Sequence, residues 1–180
     1  MKLTTLISAV LAAAGIQLAG AQGFVSSLDA AQDGGGARTG SGQVYLFLTG
    51  STLTLSNGNY SGLSGTVTAA HIHGPGAPGV PAGVLYFLSS PAGFISTGAT
   101  FGNITGGNLS LIDNPNGSGF TVAQQLTQLN SGLWYINIHT TTFGGGEIRG
   151  QIVAVPEPAS AALLMLGVAC AGLSFRRQTQ

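Results

Sequence analysis

Charged side chains are scarce in this sequence: five basic and five acidic residues in 180, for a formal net charge of zero. Phosphate backbones are held by clustered Lys and Arg, so nucleic acid is excluded as a partner. There is a single cysteine, Cys170, so no internal disulfide can form and the fold stands on its apolar core. Catalytic signatures are missing as well. No Gly-x-Ser-x-Gly elbow occurs, and the carboxylates between the two ends, Asp29, Asp33, Asp113 and Glu147, are few and scattered. The glycine-rich pieces lack the lysine and following helix that cradle a phosphate. The chain is therefore read as non-catalytic, with one qualification concerning histidine given below.

What is abundant is glycine, 30 residues of it, together with serine and threonine. Between these turn formers lie short strand-like runs. They are Phe24–Leu28, Gln43–Thr49, Thr52–Ser56, Gly65–His73, Gly83–Ser89, two weaker runs between Ser96 and Leu111 around Gly106-Gly107, Leu133–Thr140, and Glu147–Val155. Asn57-Gly58-Asn59 reads as a turn, and Gly144-Gly145-Gly146 as the turn joining the last two strands. One segment differs. Thr121–Leu129 carries Val122, Leu126 and Leu129 at helical spacing. The expected fold is all-β, an antiparallel Greek-key-like sandwich of the immunoglobulin or superoxide-dismutase kind, with one short helix near 121–129.

The two ends read as addresses. Residues 1–21 have a basic start at Lys2, an apolar run Leu6–Leu18 too short for a comfortable bilayer span, and the small-x-small cleavage pattern Ala19-Gly20-Ala21. They are expected to be a signal peptide cut after Ala21; an uncleaved anchor is the alternative. Residues 155–180 hold Pro156-Glu157-Pro158, an uncharged stretch Ala159–Phe175, and Arg176-Arg177. Hydropathy and the positive-inside rule make this a transmembrane helix with a cytoplasmic basic end. The domain proper is 22–154.

Three histidines stand out against the low charge: His71 and His73 in Ala70-His71-Ile72-His73-Gly74-Pro75, and His139. Strand alternation puts Val67, Ala69, His71 and His73 on one face, and Thr68, Ala70 and Ile72 on the other. It likewise groups Leu133, Tyr135, Asn137 and His139, and then Glu147, Arg149, Gln151 and Val153. His-x-His on a strand sets two imidazoles about 7 Å apart along it. A third from a neighbouring strand makes a three-nitrogen site with an open position, which suits copper or zinc. Plain structural histidines bonded to backbone or to Glu147 are the other reading. Arg149 is either an ion-pair partner of Glu147 or an anion-attracting group beside an open metal position.

Several stretches, taken together, resemble the CHRD domain family, first defined in chordin. They are Tyr60-Ser61-Gly62-Leu63, Ala69-Ala70-His71-Ile72-His73-Gly74-Pro75, Leu129–Thr140 with its Asn137-Ile138-His139-Thr140, and Gly146-Glu147-Ile148-Arg149-Gly150-Gln151-Ile152. The resemblance covers about 23–154 and implies an extracellular β-sandwich with no agreed biochemical activity. His-x-His, a late His and an Arg in a glycine-flanked last strand are also similar to copper/zinc superoxide dismutase, although the bridging histidine, zinc loop and disulfide of that family have no counterpart here. The end of the chain resembles the PEP-CTERM sorting signal of Gram-negative bacteria. This implies processing by an exosortase, transient anchoring in the inner membrane, and delivery from the periplasm to the outer surface or extracellular matrix; a permanent anchor is the alternative. The resulting expectation is an exported, surface-sorted, non-catalytic binding or structural module whose partner is extracellular polysaccharide or a surface protein. The alternative is a copper-binding domain, with redox chemistry of the dismutase kind, using His71, His73 and His139.

Overall fold

A computed structural model describes residues 21–155. The signal-peptide and sorting-tail readings, with Ala19, Pro156, Glu157, Pro158, Cys170, Arg176 and Arg177, lie outside the described residues. Ala21 is exposed and immediately precedes the first strand.

The strands are β1 (Gln22–Asp29), β2 (Ser41–Thr49), β3 (Thr52–Ser61), β4 (Val67–His73), β5 (Val84–Phe87), β6 (Gly102–Ile104), β7 (Gly107–Ser110), β8 (Tyr135–Thr140) and β9 (Ile148–Ala154). One helix, α1 (Val122–Asn130), and a 3-10 turn at Pro115–Gly117 precede β8. Every strand pair is antiparallel. The order across the sheet is β5-β4-β8-β9-β1-β2-β3-β6, with β7 also paired to β3. The all-β expectation holds, and the layers of the fold are parts of one continuous, curled sheet. Just ahead of β6 the chain returns to β4: the Val67 amide donates to Ala99 O at 2.8 Å, and the Gly98 amide to Val67 O at 2.8 Å.

Alternation sends one side chain in two to a common core. Val44, Leu46, Leu53 and Leu55 meet Ala70, Ile72, Ile136, Ile138, Ile148 and Ile152 there, with Trp134 fully buried among them. Each such aliphatic side chain contributes about 1.5–3 kcal/mol by leaving water. β1 and β9 are neighbours, with Phe24 opposite Ala154 and the Val155 amide donating to Gly23 O at 2.9 Å. Both chain ends of the described domain therefore leave from the same corner.

Two local expectations are corrected. Asn57-Gly58-Asn59 is not a turn; β3 runs through it. Gly58 is there because strands crowd: a Cβ would meet the Gln43 carbonyl oxygen at 2.5 Å. In β4, Val67 points into the core and Thr68 outward, the reverse of simple alternation with His71, because the pairing with β8 shifts register between Val67 and Ala69. Such a bulge changes the phase of the strand. In α1 the helical spacing holds: Leu129 is buried, Val122 and Leu126 pack against the core, and Gln125 is buried beside them. Gln125 is tolerated inside because its amide is fully used, accepting from Tyr86 Oη at 2.5 Å and donating to Ile112 O at 2.6 Å. A capping box starts the helix: Thr121 Oγ1 accepts from the Gln124 amide, and Gln124 Oε1 accepts from the Thr121 amide.

Candidate metal centre

β4, β8 and β9 lie side by side, and their register aligns their outward side chains. His71 is opposite Asn137, which is opposite Arg149; His73 is opposite Tyr135, which is opposite Gln151. His139 faces the small Ala69, which leaves room for its ring to lean onto the diagonal neighbour His71. His71 Nδ1 and His139 Nε2 come to 3.1 Å. Ring centroids are 4.9 Å apart for His71 and His139, 5.5 Å for His71 and His73, and 5.9 Å for His73 and His139. The structure thus brings together the three histidines singled out in the sequence, and one nitrogen from each lies within 4.8 Å of the others.

Backbone carbonyls fix two of the tautomers. His73 Nδ1 is 2.9 Å from Ala82 O, and His139 Nδ1 is 3.0 Å from Gly144 O. A carbonyl only accepts, so both Nδ1 atoms carry the proton and both Nε2 atoms present lone pairs. His73 Nε2 is buried and has no hydrogen-bond partner among the described residues. In the metal-free protein, His71 Nδ1–H donates to His139 Nε2. Burial, with His139 and His73 beside it, lowers the His71 pKa to about 4. Burial also lowers that of His73, against the hydrogen bond to Ala82 that favours its cation. Both rings are neutral at neutral pH, the form in which imidazole binds a metal.

The donor set fits a borderline transition ion. Metal–nitrogen bonds of about 2.0–2.1 Å place adjacent nitrogens about 3–3.4 Å apart, close to the His71–His139 separation. Two of the three imidazoles already have the outer hydrogen bond that orients metal-ligating histidines. His71 is steadied by the edge of Phe87, 5.1 Å away between centroids, and Phe87 is itself exposed.

Behind the histidines the outward face is covered. Tyr135 stacks on His73 at 5.0 Å and 6°, and the Arg149 guanidinium lies 3.3 Å from the other side of the tyrosine, on its ring centroid. The loop between β4 and β5 forms a roof. Arg149 Nη2 donates to Ala77 O at 3.2 Å and Val80 O at 3.0 Å, Gln151 Nε2 donates to Gly76 O at 2.8 Å, and the Ala82 amide donates to Tyr135 Oη at 2.9 Å. A second loop brings Asp33 to Asn137 and Arg38. Burial raises the Asp33 pKa against the nearby Arg38. Gly146, with φ at +128°, closes this corner; any Cβ there would collide with Asn137 and Asp33.

Glu147 and Arg149 do not form the pair considered from the sequence. Glu147 is fully buried and accepts from the Ser64 amide and from Thr140 Oγ1, each at 2.6 Å. Burial pushes its carboxyl up, but these hydrogen bonds outweigh that and hold the pKa below its ordinary value. Arg149 is only 4% exposed, and two carbonyls and a tyrosine occupy it. The ion pair seen among the described residues is Asp33 with Arg38, at 3.6 Å.

Sequence reading passed over Tyr135, Asn137 and Asp33 as site residues. Tyr135 and Asn137 carried a signal, since they alternate with His139 on β8. Asp33 and the carbonyls of Ala82 and Gly144 carried none, because only tertiary folding brings them in. A family model for the CHRD domain matches residues 24–152, and one for the PEP-CTERM protein-sorting motif matches residues 154–178. No curated protein and no solved structure matches the chain significantly.

Proposed function

The chain belongs to the CHRD domain family, and we propose that it is a surface-sorted binding module that holds one copper ion through His71, His73 and His139. Export and cell-surface sorting follow from the PEP-CTERM motif. The finer route is part of the proposal: a Gram-negative host, transient anchoring by the apolar tail, release by an exosortase, and residence at the outer surface or in the extracellular matrix.

The observation that carries the copper reading is the trio of converging imidazole nitrogens, with His73 Nε2 buried and unpartnered while its Nδ1 is tied to Ala82 O. A buried acceptor left without a donor costs about 1–3 kcal/mol, and a metal ion removes that cost. Three neutral nitrogen donors without a carboxylate select against calcium and magnesium, and copper ranks above zinc for such donors. Binding asks little of the protein. His73 and His139 already offer lone pairs; His71 has only to move its proton from Nδ1 to Nε2. Copper would supply a redox-active Lewis acid at the surface of the sheet. Arg149 is committed to the roof, so it supports the site by clamping Tyr135 against His73 rather than by attracting an anion.

The test is metal analysis and copper and zinc titration of the chain, purified without a histidine tag, beside His71→Gln/His73→Gln. The expected result is one copper per chain in the first and none in a folded second. Absence of stoichiometric binding in the parent would leave the histidines as structural groups and sink the proposal.

A further inference from the structure

A second surface lies on the same outer side of the sheet, over β2, β3 and β6, and uses none of the histidines. At its centre are Tyr45 and Phe47, each 42% exposed. Both rings are held down on the sheet. Tyr45 Oη donates to Gln43 Oε1 at 2.8 Å, so its ring lies along the strand. The Phe47 ring edge extends toward Gly23 on the neighbouring strand, 3.8 Å from where a Cβ would be. Beside them runs a ladder of amides. Gln43 is opposite Asn59, and Asn59 is opposite Asn103, while Asn57 is opposite Tyr45. Tyr45, Gln43, Asn57 and Asn59 also line a shallow cleft of 190 Å³. β2, β3, β6 and β7 contain no charged residue at all.

We propose that this face binds a neutral polysaccharide, laid across β2 and β3 with sugar rings on Tyr45 and Phe47. The axial C–H faces of a glucose-type ring are apolar and slightly positive, which complements the negative face of an aromatic ring. Its hydroxyls donate and accept, as a carboxamide does. The amide ladder crosses three strands, about 10 Å, so it spans more than one sugar unit. An uncharged face has an uncharged complement. Acidic polymers and nucleic acids would find no cation here, and a lipid surface would have to desolvate the whole amide row. The open shape fits a chain passing over it rather than a small ligand enclosed by it.

The experiment is affinity electrophoresis of the full-length chain through gels containing hydroxyethyl cellulose, galactomannan or dextran, with alginate as the acidic control. The variants are Tyr45→Ala/Phe47→Ala and Asn59→Ala/Asn103→Ala, the second pair keeping the test open if the first fails to fold. Controls are Phe87→Ala, which removes an exposed aromatic on β5 at the far end of the strand order, and His71→Gln/His73→Gln. Retardation by at least one neutral polymer is expected, weakened at least tenfold by each surface pair and unchanged in both controls. Retardation by none, by alginate alone, or equally in the surface variants would overturn the proposal. So would a fall from dimer to monomer in Tyr45→Ala/Phe47→Ala, which would make the face a contact between copies. Loss of copper with retained retardation would reject the metal reading alone.

Discussion

At the centre of β8 and β9 the outward side chains Tyr135, Asn137, Arg149 and Gln151 are each no more than 9% exposed. On β2 the outward Tyr45 and Phe47, placed by the same alternation on the same sheet, are each 42% exposed. The difference is made by loops. The connection from β4 to β5 folds back over β8 and β9 and is held there by Arg149 and Gln151, whereas β2 and β3 are joined by a tight turn at Gly50-Ser51 that covers nothing. A roofed sheet face can lower histidine pKa values and hold arginine among carbonyls. A bare one can only offer its side chains to a partner.

The contrast can be broken most severely at the histidines. His71→Gln/His73→Gln should reduce copper affinity by more than 100-fold, read by competition against a chelator, whereas Tyr45→Ala should leave it unchanged. Next in size is the roof. Arg149→Ala removes the donor that ties down the Ala77 and Val80 carbonyls and the clamp on Tyr135, and leaves a hole where a buried side chain stood. It should cost about 2–4 kcal/mol in urea unfolding. Glu147→Ala strands the Ser64 amide and the Thr140 hydroxyl. It should cost about 1–3 kcal/mol by the same measurement.

Acid provides a gentler contrast. His71 has a folded pKa of about 4, below the ordinary 6.5. Between those values the unfolded chain binds the extra proton, so stability of the metal-free protein should fall as pH drops from about 6.5 toward 4. Above that window the histidine contribution is flat. His71→Gln should flatten the descent in a Tm-against-pH series, since burial, His139 and His73 all oppose a cation at that position. Raised Asp33 works the other way at the acid end, so the descent is measured as the difference between parent and variant. The smallest effect belongs to the bare face: Tyr45→Ala should change stability by within about 0.5 kcal/mol.

Much of this was legible in the residues, for identifiable reasons. Period-two alternation placed His71, His73 and His139 on one side, and tertiary pairing then converged them. It failed at Val67 and Thr68, because a register shift against β8 has no signature in β4's own sequence. Asn57-Gly58-Asn59 misled because a glycine needed for strand crowding looks the same as one needed for a turn. The Glu147–Arg149 pairing failed for a deeper reason. Each residue found backbone partners more than 60 positions away, and short-range spacing carries no information about those.

The corner where β1 begins and β9 ends has a mechanical consequence. β9 runs from Ile148, beside the histidines, to Ala154 at that corner, a span of about 20 Å. A domain held at that corner by either end would hang from one point, with His139 at the far end of β9 and His71 and His73 partway along it. Attachment through the start of β1 and attachment through the end of β9 would thus be mechanically equivalent, each presenting the same far end of the sheet outward.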